Sequence, residues 1–82
     1  MRGEIVQRVV EFISKEIVEN PDDVSVTIVE DGPDDVIAEV RAAKGDMGRV
    51  IGRRGRVAKA IRVLAQAAAD EEGLQARVEF ID

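Results

Sequence analysis

Apolar and polar positions along the first half of the chain follow two periods, one helical and one extended. Residues 3 to 19 carry an apolar stripe at helical spacing, made of Ile5, Val9, Phe12, Ile13 and Ile17, which Val6 and Val10 widen. Asn20-Pro21 ends this helix, because the residue before a proline is pushed out of the α region. Residues 24 to 29 and 36 to 42 alternate at every second position, as half-buried strands do. The turn between them is short, so the two strands form an antiparallel hairpin.

The second half of the chain returns to helical spacing and then to alternation. A short helix is predicted over residues 47 to 51, with Asp46 as its capping residue and Gly52 at its end. A longer helix is predicted over residues 56 to 71, with Gly73 just past its end and an inner face made of Val57, Ile61, Leu64, Ala65 and Ala68. Residues 75 to 81 alternate again as a third strand. The order is αββααβ, and the helical connection makes the second and third strands parallel.

These elements predict an α+β fold, a three-stranded mixed sheet with three helices packed on one face. A chain of 82 residues with 45% apolar content builds one modest core, so we expect residues 1–82 to form a single domain. The start of the chain lacks the unbroken apolar run of a signal peptide, and no stretch approaches the roughly 20 apolar residues of a membrane span. We therefore expect a cytoplasmic protein that makes no membrane contact.

The chain contains neither His nor Cys, which removes the usual metal ligands and the commonest general base. Without Cys there is no disulfide. No pair of carboxylates stands next to an apolar pocket motif. We therefore expect no enzymatic activity, no catalytic residue, no metal or cofactor and no small-molecule substrate.

Positive charge is concentrated in one part of an acidic chain. Residues 44 to 62 hold seven Lys and Arg against one acid, a net charge of +6. The whole chain carries −5, so the remainder carries −11. A basic patch of this kind is the electrostatic footprint of a nucleic-acid site, and an acidic overall composition hides it.

Two glycines bracket two arginines at the junction of the last two predicted helices. Gly52 and Gly55 enclose Arg53 and Arg54, and the longer helix begins at Arg56 or Val57. Glycine lets the backbone approach a ligand closely, and the unpaired N–H groups and positive dipole end of the next helix point into the same turn. The pattern predicts a phosphate clamp for a nucleic-acid backbone. The alternative is a plain linker with basic surface residues; P-loop and Rossmann motifs do not fit these glycines.

The run from Val50 to Arg56, followed by Ala60-Ile61, resembles the hallmark of the K-homology (KH) domain, an apolar pair and G-x-x-G between two helices. The αββααβ order resembles the type II, bacterial arrangement of this domain. With Asp46 and Gly48 included, the chain is similar from end to end to the KhpA-type group of small bacterial single-KH-domain RNA-binding proteins. The G-x-x-G alone is a weak signal, and the element order and basic residues make it stronger.

The resemblance implies a site in which the G-x-x-G loop clamps the backbone of about four single-stranded nucleotides. Gly52 and Gly55 would allow the close approach, and Arg53 and Arg54 would contact phosphates. Val50, Ile51 and Val57 would help to floor an apolar groove for the bases, between the two helices and the adjacent strand. Arg56 and Lys59 would extend the positive rim. For Lys44 and Arg62 the sequence allows two roles, an RNA contact or an ordinary surface position. For Arg62 the second role is an ion pair with a carboxylate.

Aromatic content separates this interpretation from other RNA-binding folds. The chain has no Trp or Tyr, and its two Phe, Phe12 and Phe80, stand at positions that the pattern predicts to be buried. RRM and OB-fold sites normally offer exposed aromatic platforms for base stacking, and KH grooves do not depend on them. The composition therefore favours the KH interpretation, although it does not separate RNA from single-stranded DNA.

The turn between the first two strands is acidic, with Glu30, Asp31, Asp34 and Asp35. By the resemblance this turn flanks the binding groove, so we expect it to weaken RNA binding to the micromolar range or worse, with strong salt dependence. Useful affinity would then need a second KH domain, from a homodimer or from a larger KhpB-type partner. An exposed Val10 or Val18 is a candidate dimer contact, and core packing of the first helix is the alternative.

The family resemblance implies an RNA chaperone or post-transcriptional regulator linked to cell elongation and peptidoglycan homeostasis. A second hypothesis, of a different class, is a KH scaffold that uses its Gly-Arg-Arg-Gly face to dock a protein partner or a copy of itself, with weak or no RNA binding. Reversing the charges of Arg53 and Arg54 separates the two, because the first hypothesis predicts lost RNA binding and the second predicts lost assembly.

Overall fold

Helices and strands follow one another in the predicted order in the computed structural model, which describes residues 2–82. The elements are α1 (Glu4–Ile17), β1 (Ser25–Glu30), β2 (Asp35–Arg41), α2 (Met47–Ile51), α3 (Arg56–Glu72) and β3 (Gln75–Phe80). Single turns of 3-10 helix precede β1, α2 and α3, at Pro21–Asp23, Lys44–Asp46 and Arg53–Gly55. No helix in this part of the chain has the length and apolarity needed to cross a membrane.

The three strands form one mixed sheet in the order β1-β2-β3. β1 and β2 are antiparallel, with Ser25 opposite Arg41 and Glu30 opposite Val36. β2 and β3 are parallel, with Asp35 opposite Gln75 and Val40 opposite Phe80. The predicted α+β fold and its parallel helical crossover are therefore confirmed.

The core lies between the sheet and the helices and consists mostly of small aliphatic side chains. Its buried members are Val6, Val10, Val26, Val36, Ala38, Val40, Ile61, Ala65, Ala68, Ala69, Leu74 and Val78. Val and Ala fill the layer because α1 and α3 both lie close to the strands. α1 and α3 run antiparallel, since the carboxylate of Glu72 at the end of α3 accepts hydrogen bonds from backbone N–H groups at the start of α1.

The buried face of α1 matches the prediction except at Ile5 and Phe12. Val6, Val10 and Ser14 are fully buried, whereas Ile5 is 40% and Phe12 is 67% exposed. Val9, Ile13 and Ile17 pack against the core as predicted, but the centre of the buried face lies at Val6, Val10 and Ser14. Val10 is thus excluded as a surface contact, and the prediction of a buried Phe12 is wrong.

The buried face of α3 matches the prediction except at one position. Ile61, Ala65 and Ala68 are buried, and Val57 packs against the core, but Leu64 is 44% exposed. The α1 residue Gln7 donates to the carbonyl of Val26 in β1, so the opposite flank of α1, with Ile5 and Phe12, faces α3. Arg62 of α3 donates to the carbonyl of Val78 in β3, so Leu64, on the opposite flank of α3, is on the side of α1. The exposed side chains of Ile5, Phe12 and Leu64 therefore share the outer crease between α1 and α3, which we call the apolar crease.

Candidate nucleic-acid interface

The turn between α2 and α3 requires glycine at both ends, for different reasons. Gly52 has φ 77° and ψ 170°, and a Cβ built there would lie 2.5 Å from a side-chain carbon of Val57 and 2.9 Å from its backbone nitrogen. Gly55 has φ 72° with open space around the position of a Cβ. Between them Arg54 also has positive φ, at 58°. The turn is therefore tightly wound against α3 at Gly52 and open to solvent at Gly55.

The N-terminus of α3 opens directly onto this turn. Gly55 precedes the helix and offers no side-chain cap, so the first N–H groups of a 17-residue helix are not satisfied by a capping side chain. Arg53, Arg54 and Arg56 are all exposed around them. Backbone donors, the helix dipole and three guanidinium groups converge there, which is an arrangement that binds anions.

The basic residues divide into two equal groups by their partners. Six of the 12 Lys and Arg form ion pairs: Arg2, Arg8, Lys15, Arg41, Arg49 and Arg77. Within residues 2–82 the other six form none, and they are Lys44, Arg53, Arg54, Arg56, Lys59 and Arg62. All six belong to the segment from 44 to 62 that sequence composition singled out. We call these six residues the uncompensated cations.

Asp46 ties α2 and the turn to the end of α1. Its carboxylate, 1% exposed, accepts hydrogen bonds from the N–H of Glu19 at 3.2 Å and from the N–H and side-chain amide of Asn20 at 2.9 and 3.1 Å. Its side chain forms no capping bond to α2, so the predicted capping role is wrong. Desolvation on burial raises the pKa of Asp46, but the bonds from Asn20 and Glu19 and the charge of Arg49 outweigh it and hold the pKa below its usual value.

The apolar residues beside the turn differ in their access to solvent. Val50 is fully buried under the turn, whereas Ile51 is 39% exposed. Val57 is half-buried and packs against the core. Of the three residues expected to floor a groove, Ile51 therefore presents the largest accessible apolar surface.

One flank of α3 continues the basic surface towards β3. Lys59, Arg62 and Gln66 follow one another at helical spacing on this flank. The Arg62 guanidinium donates to the carbonyl of Val78 at 3.4 Å, and its carbon lies 5.4 Å from the centroid of the Phe80 ring. Arg62 therefore lies over β3 instead of pairing with a carboxylate. The recess beside it, with a volume of about 370 Å³, is also lined by Ala76, Arg77, Val78 and Glu79.

The outer edge of β3 is only partly closed. Gln66 accepts from the N–H of Ala76 at 3.0 Å and donates to the carbonyl of Leu74 at 3.2 Å. The sequence does not predict that this edge of β3 forms one wall of the groove. The spacing of Arg56, Lys59 and Arg62 indicates a basic flank, but no sequence signal shows that β3 lies beside it.

The acidic turn lies at the opposite end of the molecule from Gly52 and Gly55. The carbonyl of Asp34 accepts from the N–H of Gln75, just past the end of α3, and Arg2 and Arg77 pair with Glu30 and Asp31. The glycine turn precedes the start of α3, and this helix of 17 residues is about 25 Å long. The acidic turn therefore does not flank the glycine turn; it lies near the far end of the recess, where Arg77 pairs with Asp31.

Comparison with protein families identifies one matching family. The family model described as the KhpA/KhpB KH domain matches residues 7–80. The RNA-binding protein KhpA of Clostridium perfringens is 43% identical over 76 residues, which cover 93% of this chain and all of that protein. The RNA-binding protein KhpA of Leifsonia xyli is 47% identical over 70 residues, which cover 85% of this chain and 88% of that protein.

A solved structure with the same fold belongs to a larger protein. The crystal structure of Aquifex aeolicus Era bound to GDP and aluminium fluoride superposes with a TM-score of 0.71 at 18% sequence identity. The match covers 98% of this chain and 31% of Era. At this identity the likeness supports the fold alone.

Proposed function

The chain belongs to the KhpA/KhpB family of KH-domain proteins, and from this premise we propose that it binds single-stranded RNA through the turn from Gly52 to Gly55. The observation that carries the proposal is the placement of Arg53, Arg54 and Arg56 around that turn, where they are exposed and form no ion pair within the described residues. No carboxylate of the described residues neutralises these three guanidinium groups, so their charge is available to an anionic ligand. The names of the curated relatives, RNA-binding protein KhpA, support the same function.

In the proposed complex the RNA backbone passes over the glycine turn. Gly55, with open space around it, allows a phosphate to reach the N–H groups at the start of α3. Arg53 and Arg54 contact the neighbouring phosphates, and Arg56 and Lys59 continue the positive rim along α3. These contacts hold about four nucleotides, as KH loops do.

The bases turn inward, towards the groove between α2, α3 and the edge of β3. Ile51 supplies the exposed apolar surface of this groove, and Val50 and Val57 support it from below. Because the acidic turn is about 25 Å from the glycine turn along α3, it does not oppose the phosphate contacts made there. Affinity is then limited by the small number of phosphate contacts, and it falls steeply with salt.

We further propose that the chain acts together with a second KH domain, from another copy of itself or from a KhpB-type protein. The exposed apolar crease of Ile5, Phe12 and Leu64 supports a protein contact, since it leaves the glycine turn available for RNA. Two tethered KH sites bind one strand far more tightly than one. An RNA chaperone or post-transcriptional regulator of cell elongation and peptidoglycan homeostasis is the cellular role that the family resemblance favours.

The deciding experiment is fluorescence anisotropy with a labelled single-stranded RNA, with the mass of each protein checked by light scattering. The wild type is compared with Arg53→Asp/Arg54→Asp. A control, Arg8→Asp/Lys15→Asp, makes the same charge change at two ion-paired residues of α1. We expect binding by the wild type and the control, and loss of binding at unchanged mass for the Arg53/Arg54 variant. Equal binding by all three proteins would refute the clamp.

The alternative is a scaffold whose Gly-Arg-Arg-Gly face docks a protein. An acidic turn beside that face would favour it by repelling RNA, but the acidic turn lies at the far end of α3. The scaffold hypothesis predicts that Arg53→Asp/Arg54→Asp lowers the molecular mass in light scattering. The same experiment therefore distinguishes the two functions.

A further inference from the structure

The recess between α3 and the edge of β3 has the chemistry of a base-reading site. Arg62 is exposed, and within the described residues it forms no ion pair. Its bond to the carbonyl of Val78 is 3.4 Å long, near the upper limit for a hydrogen bond. The guanidinium is held in place by Phe80 below it, yet most of its donors are available to a ligand.

The backbone of β3 adds a donor and an acceptor beside this guanidinium. Peptide groups of Gln75 and Ile81 bond towards β2, and that of Ala76 bonds outward to Gln66. By this alternation the N–H of Val78 and the carbonyl of Ala76 also point outward, into the recess. Gln66 forms hydrogen bonds with the backbone of Leu74 and Ala76, and it leaves the backbone edge after Ala76 accessible. The recess thus presents the forked N–H donors of Arg62, the N–H donor of Val78 and the carbonyl acceptor of Ala76.

Guanine is the base that fits this set. Its O6 and N7 are two adjacent acceptors, which an arginine fork binds bidentately, and its N1–H and N2–H₂ are donors for a carbonyl. Adenine places an amine opposite the guanidinium, so two donors would face each other. The volume of about 370 Å³ leaves room for a purine. Arg62 is six residues from Arg56, about 9 Å along α3, which keeps the site within the four-nucleotide reach of the glycine turn.

We propose that Arg62 is a specificity-determining residue that selects guanine at the position over β3. This inference rests on the proposed RNA binding and adds a sequence preference to it. The phosphate contacts at Arg53 and Arg54 carry no sequence information, whereas Arg62 reads one base edge. Binding of the guanine replaces the weak bond from Arg62 to the carbonyl of Val78.

The test measures anisotropy with labelled oligouridylate and with the same strand in which one interior uridine is replaced by guanosine, 7-deazaguanosine or adenosine. We expect the guanosine strand to bind about tenfold more tightly than oligouridylate, near the lower end of what an arginine–guanine pair provides. The 7-deazaguanosine strand, which lacks the N7 acceptor, should lose most of this gain. The adenosine strand should gain nothing.

The variant Arg62→Lys keeps the charge and removes the fork. Compared within this variant, the guanosine strand should bind no more tightly than oligouridylate, because the bidentate fork that selects guanine is gone. Arg8→Lys, at an exposed residue of α1, is the matched control and should keep the preference. No guanosine preference in a wild type that binds oligouridylate, or a preference that persists in Arg62→Lys, would overturn the inference. Failure of the wild type to bind any strand would instead overturn the proposed function, and the inference with it.

Discussion

Glu72, the last residue of α3, accepts a hydrogen bond from the backbone N–H of Gly3 at 2.9 Å, across 69 positions of the sequence. The other oxygen of the same carboxylate accepts from the N–H of Ile5 at 3.1 Å and of Val6 at 3.4 Å. α1 has no side-chain cap of its own, so Glu72 supplies the acceptors that a local capping residue normally provides.

Replacement of Glu72 by Ala should therefore act like the loss of a helix cap. We expect the free energy of unfolding to fall by about 1 to 2 kcal/mol, measured by urea denaturation. Glu71→Ala, at the exposed neighbouring position, is the control and should change it by less than about 0.5 kcal/mol. Equal losses in the two variants would contradict the capping role.

Gly52 and Gly55 should respond differently to alanine. Both have positive φ, which alone costs an alanine about 1 kcal/mol, but only at Gly52 does the new Cβ also collide with Val57. Gly52→Ala should lower the free energy of unfolding by roughly 2 kcal/mol or more, and Gly55→Ala by about 1 kcal/mol. Thermal or urea unfolding of the two variants checks the order. A larger loss at Gly55 would show that the turn is not packed as described.

The salt dependence of RNA affinity counts the phosphates that the turn contacts. For single strands the slope of log affinity against log salt is about −0.7 for each neutralised phosphate. Arg53→Gln/Arg54→Gln should therefore make the slope shallower by about 1.4, and the same change at the ion-paired Arg8 and Lys15 should leave it within error. Anisotropy titrations over a series of salt concentrations provide the slopes. An unchanged slope in the first variant would exclude phosphate contact by these arginines.

Asp46 should contribute to the fall in the free energy of unfolding at acid pH. Its folded-state pKa is below its ordinary value, because the bonds from Asn20 and Glu19 outweigh the opposing effect of burial. The stabilisation it provides is therefore complete above the pKa of the unfolded chain, and it is lost as the pH falls below about 4 and through the folded pKa. Asp46→Asn should unfold more easily at neutral pH and lose less stability on acidification than the wild type. A parallel loss in both proteins would contradict this assignment.

Phe12 should be dispensable for folding, although it is a large aromatic residue in a small protein. It is 67% exposed, so Phe12→Ser should change the free energy of unfolding by less than about 0.5 kcal/mol. Val10→Ala, at a fully buried neighbour, should cost about 2 kcal/mol. If the apolar crease receives a second KH domain, Phe12→Ser should also lower the mass seen by light scattering. A large loss of stability in Phe12→Ser would place this ring in the core.

The element order followed from the sequence because each boundary has a local cause. Pro21 keeps the first helix from continuing, although α1 already ends at Ile17; Gly73 follows the last helix, and the alternation of the strands is regular. The centre of the face that α1 buries was not predictable in this way, because the apolar stripe is wide. Packing on the sheet, which no local pattern records, centres the face on Val6, Val10 and Ser14 and leaves Ile5 and Phe12 exposed at its margin.

The glycine turn was found from the sequence because its spacing and charge are local. The position of the acidic turn was misjudged because it was inferred from family resemblance, although the topology contained the answer. β2 and β3 are parallel, so the start of β2 lies beside the start of β3 and the end of α3. The sequence does not decide the role of Arg62, because its neighbours Val78 and Phe80 are brought beside it only by the crossover from α3 to β3.

The separation of the acidic turn from the glycine turn gives the molecule an electric dipole moment that runs along α3. Uncompensated cations gather at the start of α3 and along its flank, and carboxylates gather at its other end, about 25 Å away. In the field of a polyanion such a molecule is rotated before contact, so that its glycine turn leads. Encounters in which the acidic turn meets the strand first are repelled by the like charges. An acidic protein with a net charge of −5 thereby approaches a negatively charged strand in a productive orientation.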